Sequence, residues 1–168
     1  MPTLIKGDRV VADDWIFVET TPDDGAKARL IVPIEYAVSH AQELLRGDRQ
    51  VGVWLTGDTE PEPILSLLTK IPLIAIRFEA FNDGRGLSLA VLLRTRHGFN
   101  GELRAIGEVH EDVLHYMRRC GFDSFQLPDG RDPAVALKAL HSLTEFYQGS
   151  VTDPLPAFRR VARGSRTR

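Results

Sequence analysis

The chain holds a single cysteine, Cys120, in 168 residues. It therefore cannot build an internal disulfide, a cysteine-ligated iron-sulfur cluster or a CxxC zinc site. Such thiol use fits a reducing compartment. Long apolar runs are also missing: nothing approaches the roughly 20 residues of a membrane span, and the opening MPTLIKGDRVVADDW has no apolar core of signal-peptide length. A cytoplasmic protein with no membrane partner is expected. The five histidines show no HxxxH or HExxH spacing, which points away from a metal site, and no serine sits in a GxSxG elbow. The stretch GRGLSL offers two glycines, but Leu89 stands where a dinucleotide fingerprint needs its third. No cofactor is expected.

What is present is ordinary globular material, 43% hydrophobic and 26% charged, of a length that suits one domain with a real core. The net charge of −2 conceals an asymmetry, because the closing FRRVARGSRTR carries five arginines and no acid. The body is thus acidic, which disfavours a nucleic-acid partner. The expected organisation is a single α/β domain over residues 1–157 and a basic, disordered, solubilising tail over 158–168.

Within the body, short apolar runs alternate with helix-period patterns. A strand or hairpin is expected around residues 15–19, then the turn-rich TTPDDG. A strand over 29–33 is followed by a helix over 34–45. The pattern repeats as VGVWL then PILSLL, LIAIRFE then LSLAVLLRTR, ELRAI then HEDVLHYMRR, and DSFQL then PAVALKALHSL. Five strands, each followed by a helix, call for parallel pairing through right-handed crossovers. The fold class is α/β with a mainly parallel sheet of about five strands, expected as an open three-layer sheet, with a partial (βα) barrel with one uncovered face as the alternative. Aromatic residues in such strands, Trp54, Phe78 and Phe125, are expected to be mostly buried.

In both architectures the loops after the strands gather on one edge, where ligands usually bind. These loops are TGDTEPEP, FNDGRG, GEVHED and LPDGRD. Residues 81–88, FNDGRGLS, place Asp83, Gly84, Arg85, Gly86 and Ser88 between a strand and a helix start. Backbone N–H groups, the positive helix end and Arg85 could hold a phosphate, sulfate or carboxylate there; a tight Asp-Gly turn with a capped helix is the alternative. Arg77 and Glu79 alternate onto one face of LIAIRFE, and Glu102 and Arg104 do so in GELRAI. Interior charges must pair or meet a ligand, so a structural ion-pair network and an oxyanion-binding face with Arg104 both remain open. His110, Glu111 and Asp112 open a helix whose dipole favours acids. Cys120, beside the C-cap glycine Gly121, carries no mark of an activated thiol. Asp129 to Arg131 repeat the DGR turn.

The stretches VGVWL, LIAIRFEAFNDGRGLSLAVLLR, GELRAIGEV, RRCGFDSFQL and FYQ together resemble a bacterial family of uncharacterised proteins, domain of unknown function nine-three-four, over residues 30–148. Its members are labelled oxidoreductases involved in sulfite reduction, and their genes stand beside those of assimilatory sulfite reductase. The family's DGRG-x-S and LR positions fall on Asp83, Gly84, Arg85, Gly86, Ser88, Leu93 and Arg94. Its GELRA-x-G falls on residues 101–105 with Gly107, and a later motif on Phe122, Asp123 and Phe125. Glu79, Glu108 and the Asp112-Val113 pair depart from the family pattern.

The resemblance implies a role in sulfur assimilation without naming a reaction. One reading is an accessory or anion-binding protein, with sulfite reductase or another sulfur-assimilation enzyme, or a small anion, as partner. The other is a small-molecule enzyme in which Arg85 and Arg104 hold an anionic substrate while Asp83 or Glu102 moves a proton. The expected ligand-binding set is Asp83, Gly84, Arg85, Gly86, Ser88, Glu102, Arg104 and Asp112, gathered in one cluster at the carboxyl edge. No catalytic residue is assigned. Convergence of the four charges in one pocket favours the enzyme, and dispersal into local pairs favours the accessory protein.

Overall fold

The computed structural model describes residues 3–20, 29–46, 50–143 and 146–160. The five expected strands are all present: β4 (Arg29–Pro33), β5 (Val51–Thr56), β6 (Leu73–Phe78), β7 (Glu102–Gly107) and β8 (Ser124–Leu127). They lie side by side in chain order and pair in parallel throughout. The sheet is nevertheless larger than five strands. β1 (Thr3–Lys6) and β2 (Arg9–Val11) form a hairpin whose first strand pairs antiparallel with β8, and β3 (Trp15–Phe17) adds in parallel beyond β4. The order is β2-β1-β8-β7-β6-β5-β4-β3. The hairpin follows from TLIKGDRVV, where Gly7 at φ +59° supplies the left-handed turn residue next to Asp8.

Monotonic strand order decides the layering. When each parallel strand is added on the same side of its predecessor, right-handed crossovers place every helix on one face. The buried residues agree. Leu30, Val32, Val53, Leu55, Ile74, Ile76, Leu103, Ala105 and Phe125 share one core with Ile64 and Leu67 of a 3-10 helix (Glu62–Leu67), and with residues of α1 (Ile34–Ser39), α3 (Arg85–Thr95), α4 (Leu114–Arg119) and α5 (Pro133–Leu140). The alternate positions Ile31, Leu73, Ala75 and Ile106 form a separate, smaller cluster with Trp15, Phe17 and Trp54 on the face that carries no helix. The three-layer sheet is therefore not formed, and the single sheet is curled into a half-barrel. Of the aromatic residues expected inside, Phe78 and Phe125 are buried and Trp54 is half-buried.

The curl is enforced by chain length. β2 and β3 stand at opposite edges, yet only residues 12–14 connect them. Four residue steps from Val11 to Trp15 span at most about 14 Å. Seven strand spacings in a flat sheet would need about 33 Å. The edges must approach one another, and the connection crosses the open mouth of the sheet.

Local chemistry sets the helices. Asp132 accepts from the Ala134 N–H at 2.8 Å and Pro133 takes the first helical position of α5. The helix expected over 34–45 is broken in two, α1 and α2 (Ala41–Arg46), at His40. There the Ser39 hydroxyl and the His40 ring both reach the Tyr36 carbonyl at 3.0 Å, sharing it with the His40 backbone N–H that closes the last turn of α1. Of the basic tail, residues 158–160 belong to α6 (Ala157–Arg160), and 161–168 lie outside the described residues, as does most of TTPDDG. Among the described residues no helix is long and apolar enough to cross a membrane.

Gly107 closes β7 at φ +85°, and a Cβ there would overlap the Phe78 carbonyl oxygen of β6. Gly107→Ala is expected to destabilise the fold by about 2 kcal/mol or more, from backbone strain plus the clash; urea unfolding measures it.

Candidate functional site

Apart from Asp112, the expected site residues fall into two groups at opposite ends of the strands. Glu102 and Arg104 lie in the first half of β7, and Arg104 pairs in register with Ala75, three residues before β6 ends at Phe78. The FNDGRG loop starts only after that end, so about 10 Å of strand separates them. They also lie on different faces: Arg104 points to the helix-free side, whereas the loop feeds α3 on the helical side. The single carboxyl-edge cluster is not formed.

The interior group is a closed network. Register places Arg104 beside Ser124 of β8, and Ser124 beside Lys6 of β1. One Glu102 oxygen, Oε1, accepts from Ser124 Oγ at 2.7 Å and from Arg104 Nη2 and Nε at 2.8 and 3.0 Å; Oε2 accepts from Lys6 Nζ at 2.6 Å. Arg104 Nη1 donates to Asp13 Oδ2 at 2.8 Å, reaching the connection between the sheet edges. Arg104 is 2% exposed. Burial, the largest single influence, pushes the Glu102 carboxyl up. Hydrogen bonds from Lys6 and Ser124 and the Arg104 charge together outweigh it and hold the group below its ordinary value.

The loop group is self-neutralised, with Arg85 exposed and Asp83 half-buried. Asp83 Oδ1 accepts from the Arg85 backbone N–H at 3.1 Å, and its two oxygens take Arg85 Nε at 2.9 Å and Nη2 at 2.7 Å. Those Arg85 hydrogen bonds hold the Asp83 carboxyl down at about 2. Asp58 stands 3.5 Å from Arg85 Nη1, and its own carboxyl is lowered, first by the Thr56 hydroxyl. Asp83 thus occupies the position at the start of α3 that an external anion would take. The second N–H of the helix is covered as well, because a Cβ on Gly57 would come within 2.6 Å of Gly86 N. Gly84 is the N-cap without a side-chain bond, and Ser88 lines an open groove of about 590 Å³ with Gly57, Asp58, Arg85 and Leu89. Asp112 is exposed in a 3-10 helix (Glu111–Val113) and belongs to neither group.

Several residues outside the expected set take part. Asp13, Lys6 and Ser124 complete the interior network, and only the need of Arg104 for partners could have announced them. Arg77 pairs with Glu19 at 3.1 Å, while Glu79 lies beyond the end of β6. Next to the FNDGRG loop, Phe81 meets the His110 ring edge-on at 4.8 Å between centroids. Arg131 donates Nη1 to Glu111 at 3.1 Å, and its Nη2 lies 2.9 Å from His110 Nδ1. A guanidinium only donates, so Nδ1 accepts and the ring proton sits on Nε2, facing Glu108 at 3.3 Å. This chain ties the loops after β7 and β8 together. Burial raises the Cys120 thiol above its ordinary range, leaving it a poor nucleophile. Among the described residues no group of three or more His, Cys, Asp or Glu side chains could hold a metal ion.

Compared with known proteins, residues 52–158 match the model of a family described as bacterial protein of unknown function (DUF934). No curated protein matches the chain.

Because the Glu102 carboxyl is depressed in the folded state, it contributes stability that is present above its ordinary value of 4.5 and lost as pH falls through its folded value. Glu102→Gln should therefore lower stability at neutral pH and flatten the decline below pH 4.5, as read from urea midpoints across pH 3–7. An unchanged acid decline in the variant contradicts the network.

Proposed function

This chain belongs to that bacterial family of unknown function, and from there we propose that it is an accessory protein of assimilatory sulfite reduction. In this reading it works by contact, presenting the FNDGRG loop to a sulfur-assimilation enzyme or a small anion, and performs no redox step itself. The observation that carries the reading is the dispersal of the four charges. Proton transfer beside a bound oxyanion needs an acid-base group and the cation within hydrogen-bond reach of one reacting centre. Here Arg104 and Glu102 are committed to one another inside the sheet, and Arg85 is committed to Asp83 outside it.

The loop has features suited to contact. Phe81 is 52% exposed, and the Arg85 side chain is 62% exposed four residues later. Aromatic and arginine side chains carry a disproportionate share of interface energy. A small anion remains compatible with this loop only by displacing Asp83 from Arg85, so the enzyme contact is the better supported form. The association with sulfite reduction rests on the resemblance of the DGRG-x-S and GELRA-x-G segments.

In a strain that requires this protein for growth on sulfate, Phe81→Ala and Arg85→Ala are expected to fold with unfolding midpoints close to the parent and yet to fail in complementation. Co-purification with sulfite reductase from sulfate-grown cells should be lost in both. Full growth of the Arg85→Ala strain makes the loop a structural turn and removes the assignment.

A further inference from the structure

We propose that the hollow at the carboxyl ends of β3, β4 and β5, under α1, binds a small organic monocation: a protonated amine or guanidinium carried on an apolar body. The hollow has a volume of about 410 Å³, within the range of small-molecule sites. It lies at the carboxyl edge of parallel strands, where ligands of such sheets bind. It is unconnected with the accessory reading above and uses none of that loop.

Its walls are chosen for positive charge. Glu19, Glu35, Tyr36, His40 and Trp54 line it, and among the described residues no lysine or arginine does. Trp54 is fixed by its indole N–H, which donates to the Val18 carbonyl at 2.9 Å. Its ring already serves a cation, since the Arg77 guanidinium lies 5.8 Å from the ring centroid. Tyr36 and His40 stack at 4.0 Å and 17°, giving a second flat wall. His40 Nδ1 lies 3.0 Å from the Tyr36 carbonyl oxygen, which only accepts; in the neutral ring the proton is therefore on Nδ1, and Nε2 keeps its lone pair as an acceptor.

The charge count sets the valence. Glu19 is neutralised by Arg77 at 3.1 Å. Glu35, exposed in the first turn of α1, has no ion-pair or hydrogen-bond partner among the described residues. Among the described residues, one uncompensated carboxylate beside π faces calls for one positive charge, and two carboxylates in the lining disfavour sulfite, phosphate and carboxylates. Tyr36 and His40 are four residues apart on the last turn of α1, a spacing that places their rings on one face.

The test titrates the full chain with n-butylguanidine and phenethylamine, with n-butanol as the neutral probe, followed by calorimetry and tryptophan fluorescence. Both cations should bind saturably at one per chain, and butanol should not. Glu35→Gln and Tyr36→Leu should each weaken binding by about three- to tenfold, with Tyr36→Phe restoring it and Glu62→Gln leaving it unchanged. Unfolding midpoints matching the parent establish that the weakened variants are folded. Failure of both cations to saturate at about 10 mM, equal binding of butanol, or unchanged affinity in Glu35→Gln overturns the site. None of these outcomes bears on growth on sulfate, so this site and the FNDGRG loop stand or fall separately.

Discussion

A guanidinium that is 2% exposed cannot remain in a sheet interior without anionic partners, and the partners of Arg104 fasten the connection between the two ends of this sheet onto its open face. Glu102 sits two residues away on the same strand, within reach of Ser124 and Lys6 on the next two strands. Asp13 comes from the connection between the outermost strands. The sheet edges have to meet because residues 12–14 are too short to span a flat sheet. Arg104 is the fixed point they meet over. The open face thereby acquires a polar plug in the amino half of β7, away from the carboxyl-edge loops, while the aromatic residues of that face, Trp15, Phe17 and Trp54, lie on β3 and β5.

That division explains why the two segments most marked by charge in the sequence have different fates. Glu102 and Arg104 are consumed by architecture. Asp83 and Arg85 lie at the opposite edge on the helical side, bound to each other, where the geometry leaves an aromatic and an arginine facing solvent. Glycines make the loop close-fitting: Gly86 rests on Phe78, and Gly57 lies over the Gly86 N–H. The loop is therefore held rigidly enough to present Phe81 and Arg85 in a fixed relation, which lowers the entropic cost of contact.

The central five strands and their parallel pairing could be read from the chain because Val, Ile and Leu runs such as VGVWL and LIAIRF are bounded by turns and separated by helix-length patterns. Of the outer strands only β3 was anticipated, by the strand or hairpin expected around residues 15–19, and β1 and β2 were not. β2 and β3 have three residues each and mixed burial, so their pairing comes from neighbours and not from local preference. The first choice of layering, the three-layer sheet, failed for a different reason: crossover handedness is a local rule, but strand order is a global one, and spacing does not encode it. The alternation of Glu102 with Arg104 correctly signalled interior charges in need of partners. It carried no information about Asp13, 91 residues away, and so the sequence invited a cluster at one edge where the fold places two groups apart.

The claim that Arg104 and Asp13 hold the sheet edges together is tested most directly by a double-mutant cycle. Asp13→Ala, Arg104→Ala and the double variant are compared by urea unfolding. A coupling of about 1.5 kcal/mol or more is expected, because the pair is partly desolvated and the loss of Asp13 leaves Arg104 Nη1 without its anionic partner. Effects that add to within about 0.5 kcal/mol would show that the connection is held by other means and contradict it.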